Sequence, residues 1–391
     1  VKIRLLDLQA QDAAIGQQIR AAVDDVLASQ EFVLGVPVAA FEREMAEFCG
    51  ATDAVGVASG TDALYLALGA LGVGPGTAVL TSAYSFIATA TSIVRLGGRP
   101  VLVDVDPVTL NITPEGVTRA IERYRRGPWS ERLVGILPVH LFGRTVALGA
   151  LRDIAAAHGL FVVEDAAQAA GAEIPGFEPR RAGAAGEAGC LSFYPTKNLG
   201  GLGDGGMVLT SSSEVAQRLR SLRVHGAVGG PYRHEEIGLA SRLDVLQAVA
   251  LSVKLPYLDR WNAARRRVAA WYTEAFQAAG IATDPAGDGG IGLPEPAGAA
   301  HVFHQYVIRI PGSRNALWAH LDDRGIGAQI YYPIPLSLQP CLRHLGYREG
   351  DFPEAERASV ETLALPLYPE LPQTAVHTVV DAVADFLRGG G

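Results

Sequence analysis

The sequence predicts an α/β protein in which a large, mostly parallel sheet is followed by a smaller C-terminal α+β domain. Over the first 250 residues short apolar runs alternate with stretches of helical periodicity, the order expected of strand–helix–strand units. Several of these runs are apolar throughout, as in strands buried on both faces. Near residue 282 a Gly-, Pro- and Ala-rich stretch breaks the alternation, and mixed strands and helices follow. The division expected from this is a large domain over residues 1–255 and a small one over 256–391.

Seven strands are expected at 54–58, 78–81, 100–105, 133–139, 160–164, 190–193 and 206–210, each short, apolar and bounded by polar or turn-forming residues. Helical patterns fall between them at 61–71, 86–96, 148–158 and 213–223. A longer amphipathic helix over 241–254 carries Leu243, Leu246, Val249 and Val253 along one stripe. Pro256 ends it, because proline has no amide to donate and crowds the preceding turn. A further helix is expected over 259–280, a connector over 282–300, strands over 301–310 and 327–332, and helices over 315–323, 354–363 and 375–387.

Composition narrows the function. No apolar run of about 18 residues is free of charges and turn formers, so no membrane span is expected. The first residues carry no apolar signal core. Cys49, Cys190 and Cys341 are odd in number and widely spaced, which predicts neither a disulfide framework nor a zinc site and fits a reducing cytoplasm. The net charge of -8 argues against a nucleic-acid partner, which requires a basic surface. No metal-ligand spacing occurs among the nine histidines; His140, His301 and His304 are expected to satisfy local hydrogen bonds. Arg265-Arg266-Arg267 and the arginines of 123–132 read as solvated faces. Gly201 to Gly206 matches a GxGxxG pattern but precedes an apolar run instead of opening a helix, so dinucleotide binding is not expected.

Of 33 basic residues only three are lysine: Lys2, Lys197 and Lys254. Lys254 closes a helical run, where a solvated charge is expected. Lys197 instead lies just past the strand at 190–193. Parallel sheets bind ligands outside the carboxyl ends of their strands, and two more features lie at such ends. Asp165 follows the strand at 160–164, and Gly60-Thr61-Asp62 opens a helix after 54–58, where free amides favour a phosphate. Taken singly, these have ordinary readings as a solubilising acid and a helix cap, and Phe86 as core packing. Together they describe pyridoxal phosphate chemistry, which needs a phosphate cradle, an amine for a Schiff base and an acid on the pyridine nitrogen.

The motifs Ala58-Ser59-Gly60-Thr61-Asp62, Glu164-Asp165-Ala166-Ala167-Gln168, Ser192-Phe193-Tyr194-Pro195-Thr196-Lys197-Asn198, Gly203-Asp204-Gly205-Gly206 and Ser241-Arg242-Leu243-Asp244 occur in that order. Through them the sequence resembles the sugar aminotransferases of the DegT/DnrJ/EryC1/StrS family, with the aspartate-aminotransferase fold (fold type I). The resemblance implies that Lys197 forms the internal aldimine and shuttles a proton, Asp165 pairs with the ring nitrogen, and Gln168 contacts the ring hydroxyl. It implies that Gly60, Thr61 and Ser192 hold the phosphate, Phe86 stacks on the ring and Asn198 joins the cofactor site. Tyr331 and Tyr332 would line the sugar pocket, and Arg242 would reach the neighbouring subunit's site in a homodimer. The implied reaction is ping-pong transfer from L-glutamate to a nucleotide-linked ketosugar. The form of the run at 194–206 resembles the branch that aminates C3; amination at C4 and a non-catalytic sensory or scaffold role are the alternatives. Two positions depart from the family pattern: Ala240 stands where asparagine is usual, and Ser337 where histidine is frequent.

Overall fold

The computed structural model describes residues 2–177, 180–230, 232–283 and 290–389. Two helices precede the sheet: α1 (Leu8–Ser29), capped by the Asp7 side chain on the Gln9 amide, and α2 (Gly35–Cys49), ended by Gly50 in the left-handed region. The strands and helices then alternate as β1 (Asp53–Val57), α3 (Gly60–Ala70), β2 (Thr77–Ser82), α4 (Ala88–Arg95), β3 (Arg99–Val103), α5 (Pro114–Arg126), β4 (Arg132–Leu137), α6 (Leu148–His158), β5 (Phe161–Asp165), β6 (Ala188–Ser192), β7 (Gly206–Thr210) and α7 (Ser213–Leu222). All seven strands expected of the sheet are present.

They form one sheet in the order β1-β7-β6-β5-β4-β2-β3. Only β7 runs against its neighbours β1 and β6; the other pairings are parallel. The carboxyl ends of β1, β2, β4, β5 and β6 therefore emerge at one edge. The start of β7 joins them there, since Gly206 lies opposite both Val57 and Ser192.

Helix α8 (Val245–Lys254) begins four residues later than the expected helix start, at an Asp244 N-cap. Its stripe packs within the chain, with Leu243 buried and Leu246, Val249 and Val253 partly exposed. Leu243, Leu246 and Val249 pack with α2 residues Phe41 and Met45, and Val253 joins Ile15, Ile19 and Trp261. Helix α9 (Leu258–Ala278) spans two cores, with Leu258 beside the large sheet and Val268, Tyr272 and Phe276 in the core around the second sheet.

The second sheet has the order β11-β10-β9-β8, built from β8 (Ala282–Thr283), β9 (Ile291–Gly292), β10 (Tyr306–Arg309) and β11 (Thr362–Leu365). Helices α10 (Arg314–Asp323), α11 (Pro353–Glu361) and α12 (Gln373–Arg388) accompany it. The N-terminal segment also belongs to this core: Ile3 bridges Ile326 and packs with the second cluster.

Five expectations need correction. The segment 327–332 is not a strand; Gln329 makes a single bridge to Ala364. The expected helix 354–363 ends at Glu361, and its last residues enter β11. The strand expected over 301–310 is confined to Tyr306–Arg309, because Val302 and His304 donate backbone bonds to Gly143 and Phe142 instead. Arg265 is buried, with Nη1 reaching the carbonyls of Phe303, His304 and Leu367 at 3.3 Å each. Lys254 is buried too, its Nζ donating to Gly200 O at 2.6 Å.

Candidate active site

The edge where the strand ends emerge gathers the chemistry-bearing residues. At the end of β1, Ser59 caps α3 by accepting from the Asp62 amide at 3.1 Å. The amides of Gly60 and Thr61 have no acceptor among the described residues, which leaves the positive end of the helix open to an anion. Glycine is required here. A Cβ at Gly60 would lie 2.7 Å from Ser192 Cβ, and one at Gly206 would lie 2.4 Å from the Ser59 carbonyl. Without those two side chains the first turn of α3 settles against Ser192 at the end of β6. Ser241 ties the next segment in: its Oγ accepts from the Ala58 amide at 3.1 Å and donates to Asp62 at 2.8 Å.

Successive strand residues face opposite sides, and β5 uses both. Glu164 points into the layer away from the cleft, accepting from the amides of Gly183, Ala185 and Gly186 and meeting His140 Nε2 at 2.9 Å. Burial raises the Glu164 carboxyl, but the His140 hydrogen bond and the amides outweigh it and the net shift is downward. Because His140 Nδ1 accepts from the Val146 amide, its Nε2 carries the proton. Asp165, the next residue, is buried with no ion pair among the described residues. It accepts from Thr89 Oγ1 at 2.8 Å and from the Ala167 amide at 3.3 Å. Burial pushes its pKa above the ordinary value; the Thr89 bond, the Ala167 amide and the charge of Lys197 oppose that rise.

Lys197 sits in the loop after β6, its amide bonded to Tyr194 O at 2.8 Å. Burial lowers its ammonium pKa to about 8 while the charge of Asp165 pulls it back up. A depressed lysine near an acid is the ordinary signature of a reactive amine. Asn198 faces the other way: it donates to Asn262 Oδ1 at 2.8 Å and Val302 O at 3.1 Å and accepts from His304 at 3.2 Å. With both amide protons spent, its side chain anchors the loop and has no donor left for a cofactor. Burial, with the charges of Lys197 and Arg265, keeps His304 neutral.

From the segment after α10, Tyr331 and Tyr332 reach the same edge, packed against the cluster that holds Tyr84 and Val307. Tyr84 holds them, donating to Tyr331 O at 2.6 Å and accepting from the Tyr332 amide at 2.8 Å. Gln168 bridges the halves, accepting from the Phe142 amide at 2.6 Å and donating to Tyr332 Oη at 2.9 Å. Phe86 is half-exposed, its ring 6.0 Å from that of Tyr332. Arg242 is partly exposed and makes no ion pair among the described residues.

This arrangement fits pyridoxal phosphate. A glycine cradle with two amides that have no acceptor among the described residues and a serine suits the phosphate, a buried carboxylate with no ion pair among the described residues suits a protonated ring nitrogen, and a depressed lysine suits the aldehyde. The comparisons agree. The chain matches the DegT/DnrJ/EryC1/StrS aminotransferase family over residues 13–384. It belongs to that family. It is 44% identical to a Geobacillus stearothermophilus protein named pleiotropic regulatory protein, over 99% of both chains. It is 39% identical to the UDP-N-acetyl-3-dehydro-alpha-D-glucosamine 3-aminotransferase of Acidithiobacillus ferrooxidans, over 99% of this chain and 98% of that one. Among solved structures it superposes on Streptomyces venezuelae DesV, in complex with a ketimine intermediate, with a TM-score of 0.89 at 39% identity, covering 99% and 98% of the two chains. As a family member the chain is a pyridoxal-phosphate-dependent aminotransferase with the α/β architecture of its structural neighbours.

Of the predicted site residues, Gly60, Thr61, Phe86, Asp165, Gln168, Ser192, Lys197, Tyr331 and Tyr332 lie on elements that meet at this edge. Asn198 supports the loop from behind. Sequence reasoning missed Ser85, Thr89, Tyr84 and Lys254. It also expected His301 to be satisfied, whereas His301 is buried with neither ring nitrogen partnered among the described residues and lies against Phe303, ring centroids 3.7 Å apart. Burial pulls its pKa to about 3, so it stays neutral.

Proposed function

We propose that this chain transfers an amino group from L-glutamate to the C3 carbonyl of a nucleotide-linked keto sugar, with pyridoxal 5'-phosphate held at the sheet edge. The observation that carries the reading is the meeting of Lys197, Asp165 and the Gly60 cradle where the carboxyl ends of β6, β5 and β1 emerge at one edge of the sheet. The name of the Acidithiobacillus relative, a 3-aminotransferase at 39% identity over nearly the whole chain, supports the sugar class and the position. Retention of the depressed lysine and the buried acid favours catalysis over a scaffold role.

In this reading Gly60, Thr61 and Ser192 bind the phosphate, and Asp165 keeps a proton on the ring nitrogen. Gln168 holds the ring hydroxyl, and Phe86 covers one ring face and excludes water. When bound, the cofactor supplies an electron sink. Lys197 Nζ removes the proton from Cα of glutamate and delivers one to C3 of the sugar. Tyr331 and Tyr332 line the sugar pocket. One site serves donor and acceptor in turn, so the kinetics are ping-pong.

A homodimer with shared sites belongs to the same reading. Exposed Val33, Val36, Tyr232 and Ile237 support it as apolar surface awaiting cover, and Arg242, which has no ion pair among the described residues, is the group that would cross to the partner's site. A large cofactor-holding domain over 1–255, a small one over 256–391 and a cytoplasmic setting complete the proposal. No helix among the described residues is long and apolar enough to cross a membrane. Glutamate-dependent amination of a small panel of 3-keto and 4-keto nucleotide sugars tests the function. Product aminated at C3 is expected; turnover of 4-keto sugars alone would transfer the assignment to C4.

A further inference from the structure

We propose that Thr89, oriented by Ser85, is a positioning residue that keeps Asp165 ionised and selects which of its oxygens faces the ring nitrogen. The proposal rests on the reading of Asp165 given above. Three buried side chains form a line: Thr89 Oγ1 donates to Asp165 Oδ2 at 2.8 Å and lies 2.9 Å from Ser85 Oγ. A hydroxyl has one proton. Thr89 spends its proton on the carboxylate, so its contact with Ser85 must run the other way, with Ser85 donating. The direction Ser85 to Thr89 to Asp165 follows without any choice of rotamer.

Thr89 is 0% and Ser85 4% exposed, so water does not compete for either hydroxyl. Among the described residues Thr89 is the one side chain hydrogen-bonded to the Asp165 carboxylate, and the Ala167 amide on Oδ1 is longer, at 3.3 Å. Oδ2 is thereby occupied and Oδ1 keeps the freer lone pairs. The other ionisable groups that feel this carboxylate are Lys197 from the loop after β6, His140 after β4, Cys190 on β6 and Tyr332 from the segment after α10. The Thr89 amide also donates to Phe86 O at 3.2 Å. One turn thus carries both the aromatic cover and the hydroxyl that locks the acid.

The test titrates the Asp165 side-chain carboxyl by 13C NMR in cofactor-free protein, with the signal assigned by its loss in Asp165→Asn. Thr89→Val keeps the shape and removes the donor, and is expected to raise the Asp165 midpoint by about one to two pH units. Thr89→Ser restores the wild-type midpoint, and Ser85→Ala gives a smaller upward shift. An unmoved midpoint in folded Thr89→Val overturns the proposal. If that variant does not fold, an unmoved midpoint in Ser85→Ala overturns it instead. The underlying reading fails separately: full amination by Asp165→Asn would remove the acid from the mechanism whatever Thr89 does to its titration. An inactive Asp165→Asn with an unmoved midpoint in Thr89→Val sinks only the hydroxyl lock.

Discussion

Lys254 Nζ donates to the carbonyl of Gly200 at 2.6 Å, three residues beyond Lys197. Gln247, two turns earlier on α8, accepts from the amides of Leu202 and Gly203 at 2.7 and 3.0 Å. Asn198 is pinned from α9 through Asn262. The loop bearing Lys197 is therefore held at three points from behind by two helices, which fixes the reach of its side chain. Replacing Lys254 by Met keeps most of the stem's volume and leaves the Gly200 carbonyl without its donor. An unmade buried hydrogen bond costs about 1–3 kcal/mol, so the denaturant midpoint of cofactor-free Lys254→Met should fall. A midpoint equal to wild type would show that the bond contributes nothing.

Gly60→Ala tests the cradle. The added methyl would sit 2.7 Å from Ser192 Cβ, so either the first turn of α3 or the end of β6 must shift. Cofactor affinity is expected to drop at least about tenfold, equivalent to roughly 1.4 kcal/mol, with the circular dichroism unchanged. Undiminished affinity would place the phosphate elsewhere.

Asp165→Asn should retain the fold and lose several orders of magnitude in turnover, since a neutral amide does not hold a proton on the ring nitrogen. Glu164 offers no rescue. It lies on the opposite face of β5, engaged by His140 and three backbone amides. Glu164→Gln should instead lower stability and leave the spectrum of bound cofactor in place. The reverse pattern in the two variants would exchange their roles.

The depressed pKa of Lys197 makes stability depend on pH in a defined window. The folded protein releases the proton at about 8, whereas the ordinary lysine value is 10.5. Between those values the unfolded chain binds more protons, so stability rises with pH. Cofactor-free wild type should gain stability relative to Lys197→Ala as pH increases from about 8 to 10.5, and the difference should be flat below pH 7. Parallel profiles through that window would mean that the amine is not desolvated.

The sheet was legible because its strands are continuous apolar runs with turn formers at their ends, and the site was legible where a motif lies directly after such a run, as at Asp165 and Lys197. The Thr89 hydroxyl, with Ser85 behind it, meets Asp165 only when the segment between β2 and α4 packs over the end of β5, and no local pattern announces that. Lys254 did carry a signal: it lies three and four residues after the buried Leu251 and Ala250, on the inward face of α8. The usual preference of lysine for solvent outweighed that periodicity. Segment 327–332 has the composition of a strand, yet Tyr84 captures its last two residues and turns them towards the cleft.

The most direct test is chemical capture of the amine. With only three lysines in the chain, borohydride reduction of the cofactor-loaded protein followed by peptide mapping gives an unambiguous position. The cofactor is expected on the peptide containing Lys197, and Lys197→Ala should show no covalent label. A label on Lys254 or Lys2 would contradict the site described above.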